Sequence, residues 1–249
     1  MDATTDVTED GLLDGRVRLR QPRVGYRAGV DAALLAAACD PAPGERVIEA
    51  GCGAGGAMLA AAVRSPDARF VGVERDEAAL ALARENIVLN QRQDSVEATG
   101  GDVGQGFRVL GLAPFDHAIS NPPFFDDTSE LRAPHGSKTG AWMADDGLES
   151  WTAFLIKAVR EGGAITIIHR ADRLADLLAL LALKAGSFRV RPVHPFADAP
   201  AKRVLVRAIK TGKAPLVLLP PLVLHDREGG KHTAQTEAIL RGAAALPWR

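Results

Sequence analysis

The sequence predicts an α/β fold in which a mostly parallel, seven-stranded sheet carries helices on both faces, preceded by a short N-terminal extension. Short apolar runs alternate with amphipathic helical segments, which is the pattern of such a sheet, and a glycine-rich turn follows the first of these runs. The 249 residues are 47% hydrophobic and 24% charged, which excludes a disordered or collagen-like chain. A chain of this length buries enough surface to fold without metal or disulfide.

The first part of the chain predicts an extension followed by a helix. Residues 16–20, RVRLR, alternate basic and apolar side chains, as expected of a half-exposed strand. The run DAALLAAAC predicts a short helix with Asp31 as its N-cap, ending at the Pro and Gly of PAPGE. We therefore divide the chain into an N-terminal extension with a basic strand, residues 1–30, and an α/β domain, residues 31–249.

Beyond this helix, predicted strands and helices alternate. The predicted strands are residues 47–50, 69–74, 116–120, 164–169, 188–194 and 203–209, with a weak third strand ending near Asp102. The predicted helices are residues 54–64, 76–90, 148–160, 173–185 and, in the C-terminal tail, 233–241. Residues 125–146 form a stretch too long for an ordinary connection, which makes them a candidate substrate loop or a plain insertion.

Charge is unevenly distributed along the chain. Residues 1–150 carry 14 Lys and Arg against 24 Asp and Glu, a net charge of −10, whereas residues 151–249 carry 16 against 7, a net charge of +9. Five arginines between Arg16 and Arg27 form a local basic cluster. Such a cluster attracts polyanions, although a solvated basic surface has the same composition.

Several classes of protein are disfavoured. Two cysteines, Cys39 and Cys52, do not form a metal-binding or disulfide pattern, so we expect no metal site and a reducing, cytoplasmic location. The acidic N-terminus lacks the features of a secretory signal, and no apolar run approaches the ~20 residues of a membrane span. We therefore expect no membrane partner, and the sequence leaves the oligomeric state open.

The motif VIEAGCGAGG stands where a strand should turn into a helix, and it fits two templates for nucleotide-like ligands. Glycines there let the backbone approach a ligand closely, although a tight structural turn is the alternative. The G-x-G-x-x-G dinucleotide template takes Gly51, Gly53 and Gly56. The second template, E-x-G-x-G-x-G, resembles that of S-adenosylmethionine-dependent methyltransferases and takes Glu49, Gly51, Gly53 and Gly55.

Two acidic residues follow the next two predicted strands. Glu74 closes the strand 69–74, where a carboxylate can accept hydrogen bonds from both hydroxyls of a ribose. The alternative is that Glu74 caps the following helix. Asp102 is placed to receive an adenine amino group, and an exposed turn aspartate is the other reading.

Asn121, Pro122, Pro123 and Phe124 follow the strand 116–120 and therefore stand at a carboxyl end of the sheet, where open α/β folds bind ligands. This segment resembles the class I methyltransferases with an NPPY/F motif, which methylate exocyclic or amide nitrogens. The resemblance implies a Rossmann-like class I methyltransferase fold. It also implies that the Asn oxygen and the first proline's carbonyl accept the hydrogens of a planar amino group, while the aromatic ring stacks on the base.

A closer resemblance covers most of the chain. The segments QPRVGYRAGVDAALLAA, NPPFF, RVLVRAIK and LPPLVLH are similar to those of the YfiC-type family, the bacterial tRNA1(Val) adenine-N6 methyltransferases. The resemblance implies S-adenosylmethionine as methyl donor and an adenine in RNA, in tRNA above all, as acceptor. It implies cofactor contacts for Tyr26, Arg27, Asp31, Glu49, Gly51, Cys52, Gly53, Gly55, Glu74, Arg75, Asp102, Val103 and Asn121.

Substrate contacts are predicted at the start of the candidate loop, within it and in the N-terminal arginine cluster. Phe124 and Phe125 are expected to stack on the base, and Arg132, His135 and Lys138, with some of the arginines between Arg16 and Arg27, are expected to contact phosphate. Phe124 stands where this family usually has tyrosine, so guanine-N2 methylation of rRNA remains an alternative. Glutamine-N5 methylation of a protein is a further alternative within the same class of enzymes. Two more distant alternatives are a nicotinamide-dependent dehydrogenase and an RNA-binding module without turnover.

Overall fold

A computed structural model of the protein describes residues 7–25, 27–123 and 147–249. Eleven strands, six α-helices and three short 3-10 helices are present among these residues. The strands are β1 (Val7–Leu12), β2 (Val17–Pro22), β3 (Arg46–Ala50), β4 (Arg69–Glu74), β5 (Val96–Gly100), β6 (Phe115–Ser120), β7 (Val159–Arg170), β8 (Ala185–His194), β9 (Arg203–Lys210), β10 (Val217–Leu218) and β11 (Leu222–Val223). The helices are α1 (Val30–Ala38), α2 (Gly56–Arg64), α3 (Glu77–Leu89), α4 (Leu148–Ala158), α5 (Leu174–Leu181) and α6 (Ala234–Leu240).

A central sheet with the order β10-β8-β9-β7-β6-β3-β4-β5 organises the molecule, and β11 also pairs with β8. The strands β5, β4, β3, β6 and β7 are parallel neighbours, whereas β9 runs antiparallel to both β7 and β8. The predicted mostly parallel α/β sheet is therefore confirmed, with seven long strands and two added strands of two residues each.

Helices cover both faces of the sheet because successive side chains of each strand point to opposite faces. Val47 of β3 packs into one core with side chains of α1, α2 and α3, while the next residue, Ile48, packs into a second core with α4 and α5. Near-continuous apolar strands such as β7 fit this environment, because both of their faces are buried.

The N-terminal extension forms a separate two-stranded hairpin. Strand β1 pairs antiparallel with β2, and the connecting turn has positive φ angles at Leu13, Asp14 and Gly15. The prediction of a strand at residues 16–20 is thus confirmed, but its partner β1 was missed. The sequence VTEDGL is acidic rather than apolar, and every one of its residues keeps partial exposure, so it lacks the pattern of a buried strand.

Element boundaries differ from the predictions in several places. The predicted helix 173–185 is too long, because α5 ends at Leu181 and Ala185 already pairs with Lys210 of β9 as the first residue of β8. Helix α4 ends at Ala158 rather than at residue 160, and β7 begins immediately at Val159, since Val159 pairs with Phe115 of β6 instead of continuing the helix. The predicted N-cap of α1 is wrong. Gly29 occupies that position, and Asp31 lies in the first turn, where its negative charge still favours the helix N-terminus.

The cap of α3 is confirmed. Asp76 Oδ1 accepts a hydrogen bond of 2.8 Å from Ala79 N, so the helix begins where the sequence predicts.

In the described part of the chain, no helix has the length and apolar character needed to cross a membrane.

Candidate functional site

Strand register brings Asn121 and residues 51–55, here called the glycine loop, to the same carboxyl edge of the sheet. Ala50, the last residue of β3, lies opposite Ser120, the last residue of β6. A hydrogen bond of 2.8 Å from Ser120 Oγ to the carbonyl oxygen of Ala50 joins these two strand ends. Gly51 and Asn121 are the next residues on each strand and therefore leave the sheet side by side.

The glycine loop is held by the end of the neighbouring strand β4. The amide groups of Gly51 and Cys52 both donate to the carbonyl oxygen of Val73, at 2.9 and 3.0 Å. The amide of Gly53 donates to Glu74 Oε2 at 2.9 Å. The loop conformation is therefore set by backbone groups and one carboxylate of β4, before any ligand binds.

Gly51 is required by its conformation and by its neighbour. Its φ angle is +68°, in the region that favours glycine. A Cβ atom at this position would overlap the indole of Trp151, with Cζ3 at 2.9 Å. The close packing of α4 on the loop thus depends on the missing side chain.

A pocket opens between the glycine loop, the end of β6 and the N-terminal segment. It is bounded by residues of the loop, of α1 and α2, and of the hairpin. These are Gln21, Ala28, Ala32, Glu49, Gly51, Cys52, Ala54, Gly56, Ala57 and Asn121. The two motifs singled out in the sequence, the glycine loop and the Asn-Pro-Pro segment, therefore meet in one pocket.

Glu49 is a buried carboxyl group in the wall of this pocket. Its side chain is only 4% exposed, and its Oε2 has no hydrogen-bond partner among the described residues. The pKa of Glu49 is raised to about 8, mainly because burial disfavours the charged carboxylate. A backbone hydrogen bond from Met58 lowers the pKa, and the negative charge of Glu74 raises it. A buried oxygen of this kind is suited to a cationic or hydrogen-bond-donating ligand group.

The thiol of Cys52 lines the same pocket and is uncharged. It is buried at 5% exposure, and burial raises its pKa well above the ordinary value, with the charges of Glu49 and Glu74 contributing in the same direction. Since the thiolate is the nucleophilic form, Cys52 is not suited to covalent chemistry.

Glu74 stands at the end of β4 with its carboxylate bound to backbone amides. Besides the Gly53 amide, its Oε1 accepts hydrogen bonds of 2.9 Å from the amides of Arg75 and Asp76. The alternative that Glu74 merely caps α3 is not what the structure contains, because Asp76 is the cap and Glu74 binds residues that precede the helix.

Asp102 lies two residues beyond β5, whose last residue pairs with Glu74. Its Oδ1 accepts a hydrogen bond of 2.8 Å from Gly104 N and lies 3.9 Å from Arg75 Nη1. Val103, next to it, is buried at 6% exposure. Glu74 therefore ends β4 and Asp102 lies just beyond the end of the adjacent strand β5, near the positions that the sequence predicts, and their ligand contacts remain predictions.

Arg27 and Asp31 bind protein groups and are not among the residues that line the pocket. The guanidinium of Arg27 donates to Asp10 Oδ2 at 2.5 Å, to Thr8 Oγ1 at 2.8 Å and to the carbonyl oxygen of Pro22 at 2.7 Å. Asp31 Oδ2 accepts a hydrogen bond of 2.9 Å from Arg203 Nε. Their predicted cofactor contacts are untested.

The basic cluster of the hairpin is largely engaged by protein groups. Arg18 pairs with Glu9 at 2.7 Å, Arg20 with Glu85 at 3.5 Å, and Arg16 donates to the carbonyl oxygen of Arg241 at 2.8 Å. The Arg27–Asp10 pair belongs to the same set of contacts, and phosphate binding by the cluster stays a prediction.

Several predicted site residues lie outside the described residues. One is Tyr26, a predicted cofactor contact. The others are the proposed base-stacking and phosphate-binding residues at the start of the candidate loop and within it, namely Phe124, Phe125, Arg132, His135 and Lys138. Pro122 and Pro123 are described and follow Asn121 directly, with Pro122 buried and Pro123 exposed.

Five pocket residues were not predicted. Gln21, Ala28 and Ala32 belong to the hairpin, to the segment after it and to α1, while Ala54 and Ala57 belong to the glycine loop and to α2. The four alanines carry no chemical signal in the sequence. Gln21 does carry one, because it is a polar residue at an alternating position of β2 that points inward, and only 2% of it is exposed.

Comparison with known proteins gives consistent results. A family model described as the methyltransferase small domain matches residues 24–134. The tRNA1(Val) (adenine(37)-N6)-methyltransferase of Porphyromonas gingivalis is 31% identical over 198 residues, which cover 76% of this chain and 77% of that protein. The protein of the same name from Bacteroides thetaiotaomicron is 37% identical over 176 residues, covering 69% and 71%.

A solved structure extends the similarity to three dimensions. The crystal structure of a predicted O-methyltransferase from Agrobacterium tumefaciens is 27% identical in sequence, with a TM-score of 0.72. The match covers 87% of this chain and 98% of that one. The sheet and its helices are therefore shared along nearly the whole length of that protein.

Proposed function

The chain belongs to the family of the tRNA1(Val) (adenine(37)-N6)-methyltransferases, and from this membership we propose that it transfers a methyl group from S-adenosylmethionine to N6 of an adenine in tRNA. The names of the relatives support the acceptor, and the pocket supports the donor. The cytoplasm, where tRNA is found, is the proposed place of action.

As a member of this family the protein is a methyltransferase. That class rules out two of the sequence-based alternatives, the nicotinamide-dependent dehydrogenase and the RNA-binding module without turnover. The guanine-N2 and glutamine-N5 alternatives concern the acceptor and are separated by the experiment below.

The observation that carries the proposal is the pocket shared by Glu49, Gly51 and Asn121. A methyl transfer requires the donor and the acceptor nitrogen to meet within one site, because alignment of the two supplies much of the rate acceleration. Had the Asn-Pro-Pro segment stood at the opposite edge of the sheet, no single ligand pair could reach both motifs.

The residues of the pocket fit S-adenosylmethionine. Its positively charged amino group matches the buried Oε2 of Glu49, which lacks a hydrogen-bond partner among the described residues. Gly51 lines the same pocket, with the indole of Trp151 filling the space that a Cβ atom would take on its other side. We propose that Glu74 binds the ribose hydroxyls and that Asp102 and Val103 contact the adenine.

We propose that Asn121 and Pro122 hold the acceptor. The side-chain oxygen of Asn121 and the carbonyl oxygen of Pro122 accept the two hydrogens of the amino group, and the fixed proline backbone keeps these oxygens in place. Such acceptors bind the nitrogen more strongly as it becomes tetrahedral, which lowers the barrier. The bound donor supplies an activated methyl group on a sulfonium. The stacking and phosphate contacts of Phe124, Phe125, Arg132 and Lys138 stay predictions.

The test is product identification. Purified protein is incubated with labelled S-adenosylmethionine and tRNA from a strain that lacks the enzyme, and the tRNA is digested to nucleosides. N6-methyladenosine is the expected labelled product. Labelled N2-methylguanosine, label only in protein, or no label in either would contradict the proposed acceptor.

A further inference from the structure

Asn86 of α3 joins the N-terminal hairpin to the glycine loop. Its Oδ1 accepts a hydrogen bond of 2.8 Å from Arg20 N, and its Nδ2 donates to the carbonyl oxygen of Arg20 at 2.9 Å. The same Nδ2 donates to the carbonyl oxygen of Ala54 at 2.9 Å. Asn86 is fully buried, so these bonds are shielded from water.

Asn90, one helical turn later, makes a matching contact that does not reach the loop. Its Oδ1 accepts a hydrogen bond of 2.8 Å from Arg18 N, and its Nδ2 donates to the carbonyl oxygens of Arg18 at 2.6 Å and of Asn86 at 2.7 Å. The two amides thus pair with the free edge of β2 as a neighbouring strand would. They differ in the third hydrogen bond, which Asn86 donates to Ala54 of the glycine loop and Asn90 donates to Asn86 within its own helix.

Both ends of the Asn86 bridge lead directly to the pocket. Ala54, whose carbonyl it binds, lines the pocket, and so does Gln21, the residue after Arg20. The side-chain oxygen of Gln21 accepts a hydrogen bond of 2.6 Å from Ala28 N, so the position of the hairpin also fixes Ala28, another lining residue.

The N-terminal segment packs closely against the start of α2. A Cβ atom at Gly56 would overlap that of Ala28 and would lie 3.2 Å from Leu19 Cδ2. The hairpin and the start of α2 are therefore in contact without spare room, and a small shift of one changes the width of the pocket between them.

We propose that Asn86 is a positioning residue, which sets the distance between the hairpin wall and the glycine-loop wall of the methyl-donor pocket. This inference rests on the proposed function, because it takes the pocket to bind S-adenosylmethionine. Asn86 does not line the pocket and acts through the backbone of Arg20 and Ala54.

The test compares Asn86→Ala with Asn90→Ala. Each variant loses the pair of bonds to β2, but only the first loses the bond to the loop. Binding of S-adenosylhomocysteine is measured by calorimetry at a temperature where thermal unfolding shows both variants folded. Asn86→Ser, which keeps a small polar side chain, replaces Asn86→Ala if the latter does not fold.

We expect the Asn86 variant to bind S-adenosylhomocysteine about tenfold more weakly than wild type, a change of about 1.4 kcal/mol. We expect the Asn90 variant to stay within threefold of wild type, although both lose thermal stability. Equal affinities in the two variants would show a purely structural role and overturn the inference. Failure of the wild-type protein to bind S-adenosylhomocysteine would instead contradict the proposed function.

Discussion

Asn121 is the residue on which the proposed chemistry depends most directly. Its amide oxygen is proposed to hold the acceptor amino group, and it lines the pocket together with Gly51. We expect Asn121→Ala to lower kcat by on the order of 100-fold, as for loss of other transition-state acceptors and donors. Steady-state kinetics with tRNA measure this effect.

The control for Asn121→Ala is donor binding. We expect the dissociation constant for S-adenosylhomocysteine to change less than threefold, because the donor is held mainly by other residues. Unchanged kcat, or an equal loss in donor affinity, would remove the proposed role.

Glu49 makes a pH dependence testable. Burial, above all, raises its pKa to about 8 in the free protein, so the carboxyl group is mostly protonated at pH 7. If Glu49 pairs with the donor's ammonium group, binding must release this proton. We therefore expect affinity for S-adenosylhomocysteine to fall as pH decreases from 8 to 6, by up to about tenfold per unit. Calorimetry in buffers of different ionisation enthalpy would detect the released proton.

Glu49→Gln is the matched variant, because it keeps the shape and removes the titration. It should bind weakly with little dependence on pH across this window. It should also raise the Tm of the free protein at pH 7. In the wild type, Glu49 is ionised in the unfolded chain and must take up a proton on folding, which costs stability at this pH. The glutamine variant avoids that cost. A pH-independent wild-type affinity would contradict the ammonium contact.

At the scale of elements, the glycine loop is shaped jointly by its own backbone and by α4. Gly51 and Gly44 both have positive φ angles, +68° and +82°, but a Cβ atom at Gly44 would meet nothing within 4 Å. Gly44→Ala should therefore cost only the conformational strain, about 1 kcal/mol. Gly51→Ala should cost about 1 to 3 kcal/mol more, because the added methyl overlaps Trp151.

Urea unfolding of the two glycine variants measures this difference. Equal free energies of unfolding would mean that α4 moves away from the loop at little cost. In that case the loop would be defined by its own dihedral angles and not by the helix packed on it.

The hairpin is the element whose proposed role changes most in light of the structure. Its residues Arg18 and Arg20 bind Glu9 and Glu85, so their charges are partly neutralised within the protein. We expect the double variant Arg18→Ala/Arg20→Ala to change tRNA affinity less than threefold and to leave the slope of log K against log salt nearly unchanged. A slope smaller in magnitude by one or more would restore these arginines as phosphate contacts.

At the scale of the whole molecule, the pocket is assembled from distant parts of the chain. Its lining runs from Gln21 to Asn121 and includes the hairpin, α1, the glycine loop and the end of β6. Ligand binding should therefore stabilise the native state as a unit. At 100 times the dissociation constant, S-adenosylhomocysteine should add about 2.7 kcal/mol.

Thermal unfolding with and without this ligand measures the stabilisation. For a chain of this size we expect a rise in Tm of roughly 5 to 10 °C. NAD at the same concentration is the control and should leave the Tm unchanged. A shift produced by NAD and not by S-adenosylhomocysteine would contradict the proposed donor.

The sequence by itself determined the alternation of strands and helices and the order of the two motifs along them. Local patterns suffice for this, because apolar periodicity, the Asp76 cap and the glycines act within a few residues. They also suffice to predict that Gly51 and Asn121 follow strands, and hence that both stand at carboxyl ends of the sheet.

The tertiary structure alone decided which residues share the pocket. Strand order and the pairing of Ala50 with Ser120 bring Gly51 beside Asn121, and no local pattern encodes such a contact between segments 70 residues apart. The hairpin partner β1, the inward placement of Gln21 and the ion pairs of the arginines were likewise decided by packing. Burial and charge neutralisation depend on neighbours that are distant in sequence, and it is folding that brings them together.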